Sequence, residues 1–240
     1  MSGHSKWASI KHKKGAADQK RGKIFSKLSK AIIVAAKQGG GDPNTNLSLK
    51  LAIDASKSAN MPKDNIQSAI DRATGNVEGL QIEKAMYEGF GPGGVAILVQ
   101  AATDNKNRTL PNIRQIFTKY GGTLGAANSV AWMFEQKGVI RLEKSGVKDT
   151  DEFELQAIDA GAEDIKISDE DITVISSTSD LSKIKTALEE AGTTIEYAQL
   201  EYLPQQPAEI DQPTRDKVEN MFEALDDDDD VTDFYSNLPD

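Results

Sequence analysis

The sequence predicts an α+β protein of three domains: an N-terminal three-helix bundle, a discontinuous α/β domain, and a ferredoxin-like βαββαβ domain inserted into it. Three observations carry this expectation. Apolar residues recur at helical spacing as far as Gly75, and the pattern turns to strands after Gly79. From Lys137 to Leu203 the order is strand, helix, strand, strand, helix, strand. The expected boundaries are 1–76 for the bundle, 77–136 with 205–240 for the interrupted domain, and 137–204 for the insert. At 240 residues the chain is long enough for several cores of ordinary size.

The first helix is expected over Ala16–Gln38, where Gly22 is the only helix breaker. At about 100° per residue, Ile24, Phe25, Leu28, Ile32 and Ala35 fall within a sector of about 100°, and Lys20, Lys23, Lys27, Lys30 and Lys37 line the opposite side. A second helix spans Asn46–Ala59. A third begins near Pro62, carries Ile66, Ala69, Ile70 and Ala73 on one face, and stops at Gly75. Met61, between polar neighbours, is either tucked into the bundle or exposed for contact.

Strands Glu83–Phe90 and Val95–Ala102 follow, joined by Gly91-Pro92-Gly93-Gly94. The next turn, Asp104-Asn105-Lys106-Asn107-Arg108-Thr109, opens a helix with Ile113, Ile116, Phe117 and Tyr120; it reads as a helix cap or as a binding loop. In the insert, strand Val139–Leu142, helix Asp151–Ala160, strands Asp164–Ser168 and Ile172–Ser176, helix Leu181–Ala191 and strand Thr194–Leu203 complete the βαββαβ pattern. After a Pro204–Pro213 linker, a helix near Thr214–Leu225 and a strand Val231–Tyr235 are too little to fold alone and are expected to return to the domain that holds Glu83–Tyr120. The run Asp226–Asp230 reads as an acidic turn before that strand, because Phe234 and Tyr235 follow it.

Charge is unevenly divided. Residues 1–74 hold 14 Lys or Arg against 5 Asp or Glu, a balance of +9, and the remainder holds 14 against 33, a balance of −19. A segment so basic would neutralise phosphates and release condensed counterions on meeting nucleic acid. The arm ahead of the first helix interleaves His4, Lys6, Lys11, His12, Lys13 and Lys14 with Trp7, which either stacks on a base or staples the arm to the bundle. The candidate contacts are therefore those seven arm residues, then Lys20, Arg21, Lys23, Lys27 and Lys30 on the helix, Lys63 and Arg72 further along, and Asn105, Asn107 and Arg108 in the polar turn.

Other chemistries lack their signatures. There is no cysteine, which removes thiolate catalysis and cysteine-ligated zinc. His4 and His12 are the only histidines and have no third ligand nearby, so no metal site is expected. Gly89, Gly91 and Gly94 match GxGxxG, but a strand follows where a dinucleotide site needs a helix. No GxSxG, Walker A or HExxH is present, and Ser182-Lys183-Ile184-Lys185 lies on an amphipathic helix without supporting elements. We therefore expect no enzyme, no catalytic residues, no cofactor and no small-molecule substrate. No apolar run approaches the roughly 18 residues of a membrane span. The basic N-terminus favours lysine over the arginine of transit peptides, so a soluble cytoplasmic protein is expected.

Read together, MSGHSKWASIKHKKGAADQKRGKIFSKL, MPKDNIQSAIDRATG, YEGFGPGGVAILVQ and TDNKNRT closely resemble the YebC family of regulatory proteins, which includes the mitochondrial translational activator of cytochrome c oxidase. The resemblance implies the same three-domain plan. It implies a DNA-binding transcriptional regulator, or else a ribosome-associated factor that contacts ribosomal or transfer RNA and helps translation of proline runs. Phosphate contacts carry no base information, so the basic face chooses neither. Against the family pattern, Asp226–Asp230 is unusually acidic.

Overall fold

A computed structural model describes residues 18–75 and 82–239, with side chains from Arg21 onward. The chain divides into two compact units, Met1–Glu135 with Leu203–Asp240, and Gln136–Tyr202.

The first unit begins with helices α1 (Asp18–Gly39), α2 (Leu47–Ser58) and α3 (Lys63–Thr74). Their core is built on Leu28, Ile32, Ile33, Leu49, Ile53, Met61 and Ile66. Met61 is thus tucked in. Asn46 explains how the first two helices join: its side chain accepts from Leu49 N at 3.1 Å as the N-cap of α2 and donates to Ala35 O and Gly40 O of the α1 end, both at 2.8 Å. Such a residue satisfies orphan groups of two helix termini at once. Asn46→Ala is expected to cost about 2 kcal/mol, above a typical cap, because it also removes two hydrogen bonds to the end of α1. The midpoint of urea unfolding measures this.

Strands β1 (Glu83–Phe90) and β2 (Ala96–Thr103) pair antiparallel, and helix α4 (Lys106–Lys119) and the two-residue strand β3 (Thr123–Leu124) follow. The chain returns to this sheet through helix α7 (Gln212–Asp227) and strand β8 (Val231–Ser236), giving the order β3-β1-β2-β8. Being central, β2 is buried on both faces: Ile97 and Val99 meet α4 and α7, and Ala102, on the alternate parity, joins the bundle core. The glycine signature serves this packing. A Cβ on Gly89 would lie 2.5 Å from the Phe117 ring, and Gly93 adopts φ +69° in the turn Pro92–Gly94. Strand β2, not a helix, follows that turn.

The second unit carries β4 (Phe134–Glu143), α5 (Thr150–Ala160), β5 (Asp164–Ile167), β6 (Asp171–Ser176), α6 (Leu181–Glu190) and β7 (Tyr197–Pro204), the end residues of β4 and β7 falling in the first unit. The element order is βαββαβ, and the sheet order is β5-β6-β4-β7. Strand β4 starts at Phe134, five residues before the Val139 expected from the sequence. In the core, Arg141 forms a buried ion pair with Glu201, Nη1–Oε1 2.5 Å and Nη2–Oε2 2.8 Å, and Tyr197 donates its hydroxyl to Glu201 at 2.6 Å.

Candidate nucleic-acid interface

Helix α1 is amphipathic as its spacing dictates, and three lysines of its lysine side meet the end of α7 and the segment after it. Lys23 donates to Asp227 O at 3.3 Å and sits 3.5 Å from Asp227 Oδ1. Lys27 donates to Asp226 O and lies 3.5 Å from its carboxylate. Lys30 donates to Asp229 O at 2.7 Å and to Asp230 Oδ1 at 2.8 Å. Lys27, expected from the sequence as a nucleic-acid contact, is 7% exposed and engaged by the chain itself.

The physical reason lies at the end of α7. The last carbonyls of a helix lack intrahelical partners and carry its negative dipole end. The last turn of α7 has no basic residue of its own and adds aspartates instead. Ammonium groups from α1 supply both the missing donors and the countercharge.

Asp230 is the centre of this contact. Besides Lys30, its carboxylate accepts from Thr109 at 2.8 Å, Arg108 at 3.0 Å and Thr103 at 3.2 Å, and its backbone oxygen accepts from Ala102 N at 2.8 Å. Burial opposes its ionisation, but the hydrogen bonds from Lys30, Thr109 and Arg108 outweigh that and hold its pKa down to about 2. A carboxylate depressed in this way stabilises the fold fully above its unfolded value near 4, and the contribution is lost as pH falls toward 2. Wild type should therefore lose about 1–2 kcal/mol over that interval through this group, and Asp230→Asn should flatten that part of the curve. Denaturant midpoints at stepped pH check it.

The remaining sequence candidates are scattered. His4, Lys6, Trp7, Lys11, His12, Lys13 and Lys14 lie outside the described residues, and of Lys20 only its place in the first turn of α1 is described. Arg21 is exposed, Lys63 opens α3, and Arg72 lies in the last turn of α3, both exposed. Asn105 is the N-cap of α4 and accepts from Arg108 N at 3.2 Å, so capping accounts for its side chain. Asn107 is exposed. Arg108 is drawn to Asp104 at 2.9 Å and to Asp230. The aspartates that meet the lysines were absent from the sequence candidates. Their signal was present as the strongest acidic run in a chain with a lysine-rich helix.

A second anchored feature lies at the turn 128–133. Buried Glu88 accepts backbone N–H groups of Asn128, Val130 and Ala131 at 2.7, 2.9 and 2.8 Å, and Trp132, 69% exposed, stands beside them. Burial raises the Glu88 pKa, but these donors prevail and leave it below its ordinary value. Among the described residues no group of three or more His, Cys, Asp or Glu could hold a metal ion, and no helix is long and apolar enough to cross a membrane.

Comparison with known proteins places these features in context. Residues 82–238 match the family model described as the TACO1/YebC second and third domain, and residues 5–76 match that of the TACO1/YebC protein N-terminal domain. A probable transcriptional regulatory protein of Dictyoglomus turgidum is 52% identical over 238 residues, covering 99% of this chain and 96% of the relative. One from Thermotoga maritima is 48% identical over 238 residues, with 99% and 94% covered. The crystal structure of a conserved hypothetical protein from Aquifex aeolicus aligns with TM-score 0.88 at 43% identity, over 97% of this chain and 96% of that one.

Proposed function

Because the chain belongs to the TACO1/YebC family, we propose that it is a non-enzymatic regulator of gene expression that binds DNA through its basic N-terminal module. The observation that supports this most is the charge division, +9 over residues 1–74 against −19 over the rest. Polyanion binding gains free energy from released counterions in proportion to the phosphates neutralised, and only residues 1–74 carry cations in excess of carboxylates. The candidate contacts are the arm lysines Lys6, Lys11, Lys13 and Lys14 together with cations of the bundle. The acidic remainder disfavours close approach elsewhere and so limits where the protein docks. The reading needs no cofactor and no small-molecule substrate, and it places the protein in the cytoplasm.

Crosslinking in cells followed by sequencing of the bound material tests this. Enrichment at discrete chromosomal sites is expected. Recovery of ribosomal or transfer RNA without chromosomal enrichment would replace DNA with a translation role at the ribosome.

A further inference from the structure

We propose that the row Lys23, Lys27 and Lys30 is a polyanion-binding surface whose resident occupant is the protein's own Asp226–Asp230 segment, and that nucleic acid must displace this segment to use the row. The inference rests on the nucleic-acid reading above. It adds a specific surface, a specific competitor and a direction of effect.

The geometry supports exchange. Lys23, Lys27 and Lys30 stand at i, i+4 and i+7, so the row extends over about 10 Å of helix at about 1.5 Å per residue. Projected on the axis of duplex DNA, that length corresponds to about three phosphates of one strand at a rise of roughly 3.4 Å each. The segment offers the lysines oxygen acceptors of two kinds, the backbone carbonyls of Asp226, Asp227 and Asp229 and the carboxylates of Asp226, Asp227 and Asp230, and the carboxylates supply the negative charge that a phosphate backbone would. Each contact is made by an ammonium to single oxygens, without the fork of a guanidinium. Toward its outer end the row opens to water: the Lys23 side chain is 47% exposed and that of Asp227 77%. Such pairs are weak and are screened by salt, so another polyanion can compete for them. At the inner end Asp230 is held by Arg108, Thr103 and Thr109 as well, which keeps strand β8 in place when the outer aspartates leave.

Exchange has a thermodynamic signature. A lysine that leaves an aspartate to meet a phosphate releases fewer net ions than one that comes from water, so the internal contacts lower both the affinity and the salt dependence of binding. Removing the competing carboxylates while keeping Asp230 raises both.

The test uses the full chain and a mixed-sequence DNA duplex, with affinity measured over a range of salt. Asp226→Asn/Asp227→Asn/Asp229→Asn is compared with wild type and with Asp159→Asn/Asp169→Asn/Glu190→Gln, which makes the same change in net charge on exposed residues of the other compact unit. The first triple variant is expected to bind about tenfold more tightly than the control and to steepen the log-log salt slope by up to about 2, near 0.9 for each of Lys23 and Lys27, whose carboxylate partners are removed while Lys30 stays on Asp230. Should that variant fail to fold, Asp227→Asn alone touches only an exposed pair and should tighten binding about twofold. If the triple variant, or Asp227→Asn in its place, behaves like its control while wild type binds in a salt-dependent way, the competition is overturned and the nucleic-acid reading stands. If neither wild type nor variant binds at low salt, both are overturned.

Discussion

Arg141→Met is expected to destabilise the Gln136–Tyr202 unit by about 3–5 kcal/mol, among the largest single effects in the molecule. The substitution preserves much of the side-chain volume and removes the charge. Glu201, 1% exposed, would then be left with the Tyr197 hydroxyl but without its guanidinium partner. A buried carboxylate in that position must either stay charged without a counterion or take up a proton, and both cost free energy. The triple change Arg141→Met/Tyr197→Phe/Glu201→Leu removes the charges and the hydroxyl together and is expected to recover at least half of the loss. Chemical denaturation of the single and triple variants makes the comparison. A single variant within about 0.5 kcal/mol of wild type would show that water reaches the pair.

Lys27→Ala is expected to cost about 2–4 kcal/mol, where Lys50→Ala should cost less than about 0.5. Both residues are lysines on helices of the same bundle. Lys50 is exposed, whereas the Lys27 side chain is 9% exposed and hydrogen-bonded to Asp226 at the end of α7. Truncation there removes a buried charge, leaves Asp226 with less compensation, and takes a donor from the helix terminus. Thermal midpoints of the two variants distinguish a lysine that clamps two elements from one that is simply solvated. Equal and small losses would show that Lys27 does not clamp the two elements.

That contrast shows what the sequence can and cannot disclose. The apolar stripe of α1 was legible because a helix repeats its faces locally: Leu28, Ile32 and Ala35 are buried as the spacing requires. The element order βαββαβ was legible for the same reason, since alternation and turn residues mark it within a short stretch. Periodicity predicts one covered face, however, and α1 is covered on more than one. Ile33 lies well outside the stripe yet is 3% exposed, and Lys27 is buried by a segment about two hundred residues away. A pairing at that separation leaves no local pattern, only two complementary charge runs.

Strand β4 teaches the same lesson from the backbone. The stretch Phe134-Glu135-Gln136-Lys137 is too polar to announce a strand, and its register with β6 begins only at Gly138. The two-residue β3 exists because Gly89 and Phe90 offer it partners. In the polar turn Asp104–Thr109, the sequence allowed a cap or a binding loop. The structure shows the cap at Asn105 and reveals why the rest of the turn is polar: Thr109 and Arg108 serve Asp230, whose part is invisible without the fold.

The most direct test of the account is the salt dependence of duplex-DNA binding by the full chain, measured from about 50 to 200 mM salt beside a variant with Lys6, Lys11, Lys13 and Lys14 changed to Gln. Wild type is expected to show a linear log-log decline. The variant is expected to bind more weakly, with a slope shallower by about 3 to 4, near 0.9 for each lost phosphate contact. No binding by wild type at the lowest salt, or an unchanged slope in the folded variant, would contradict the assignment of the basic N-terminal module to nucleic acid.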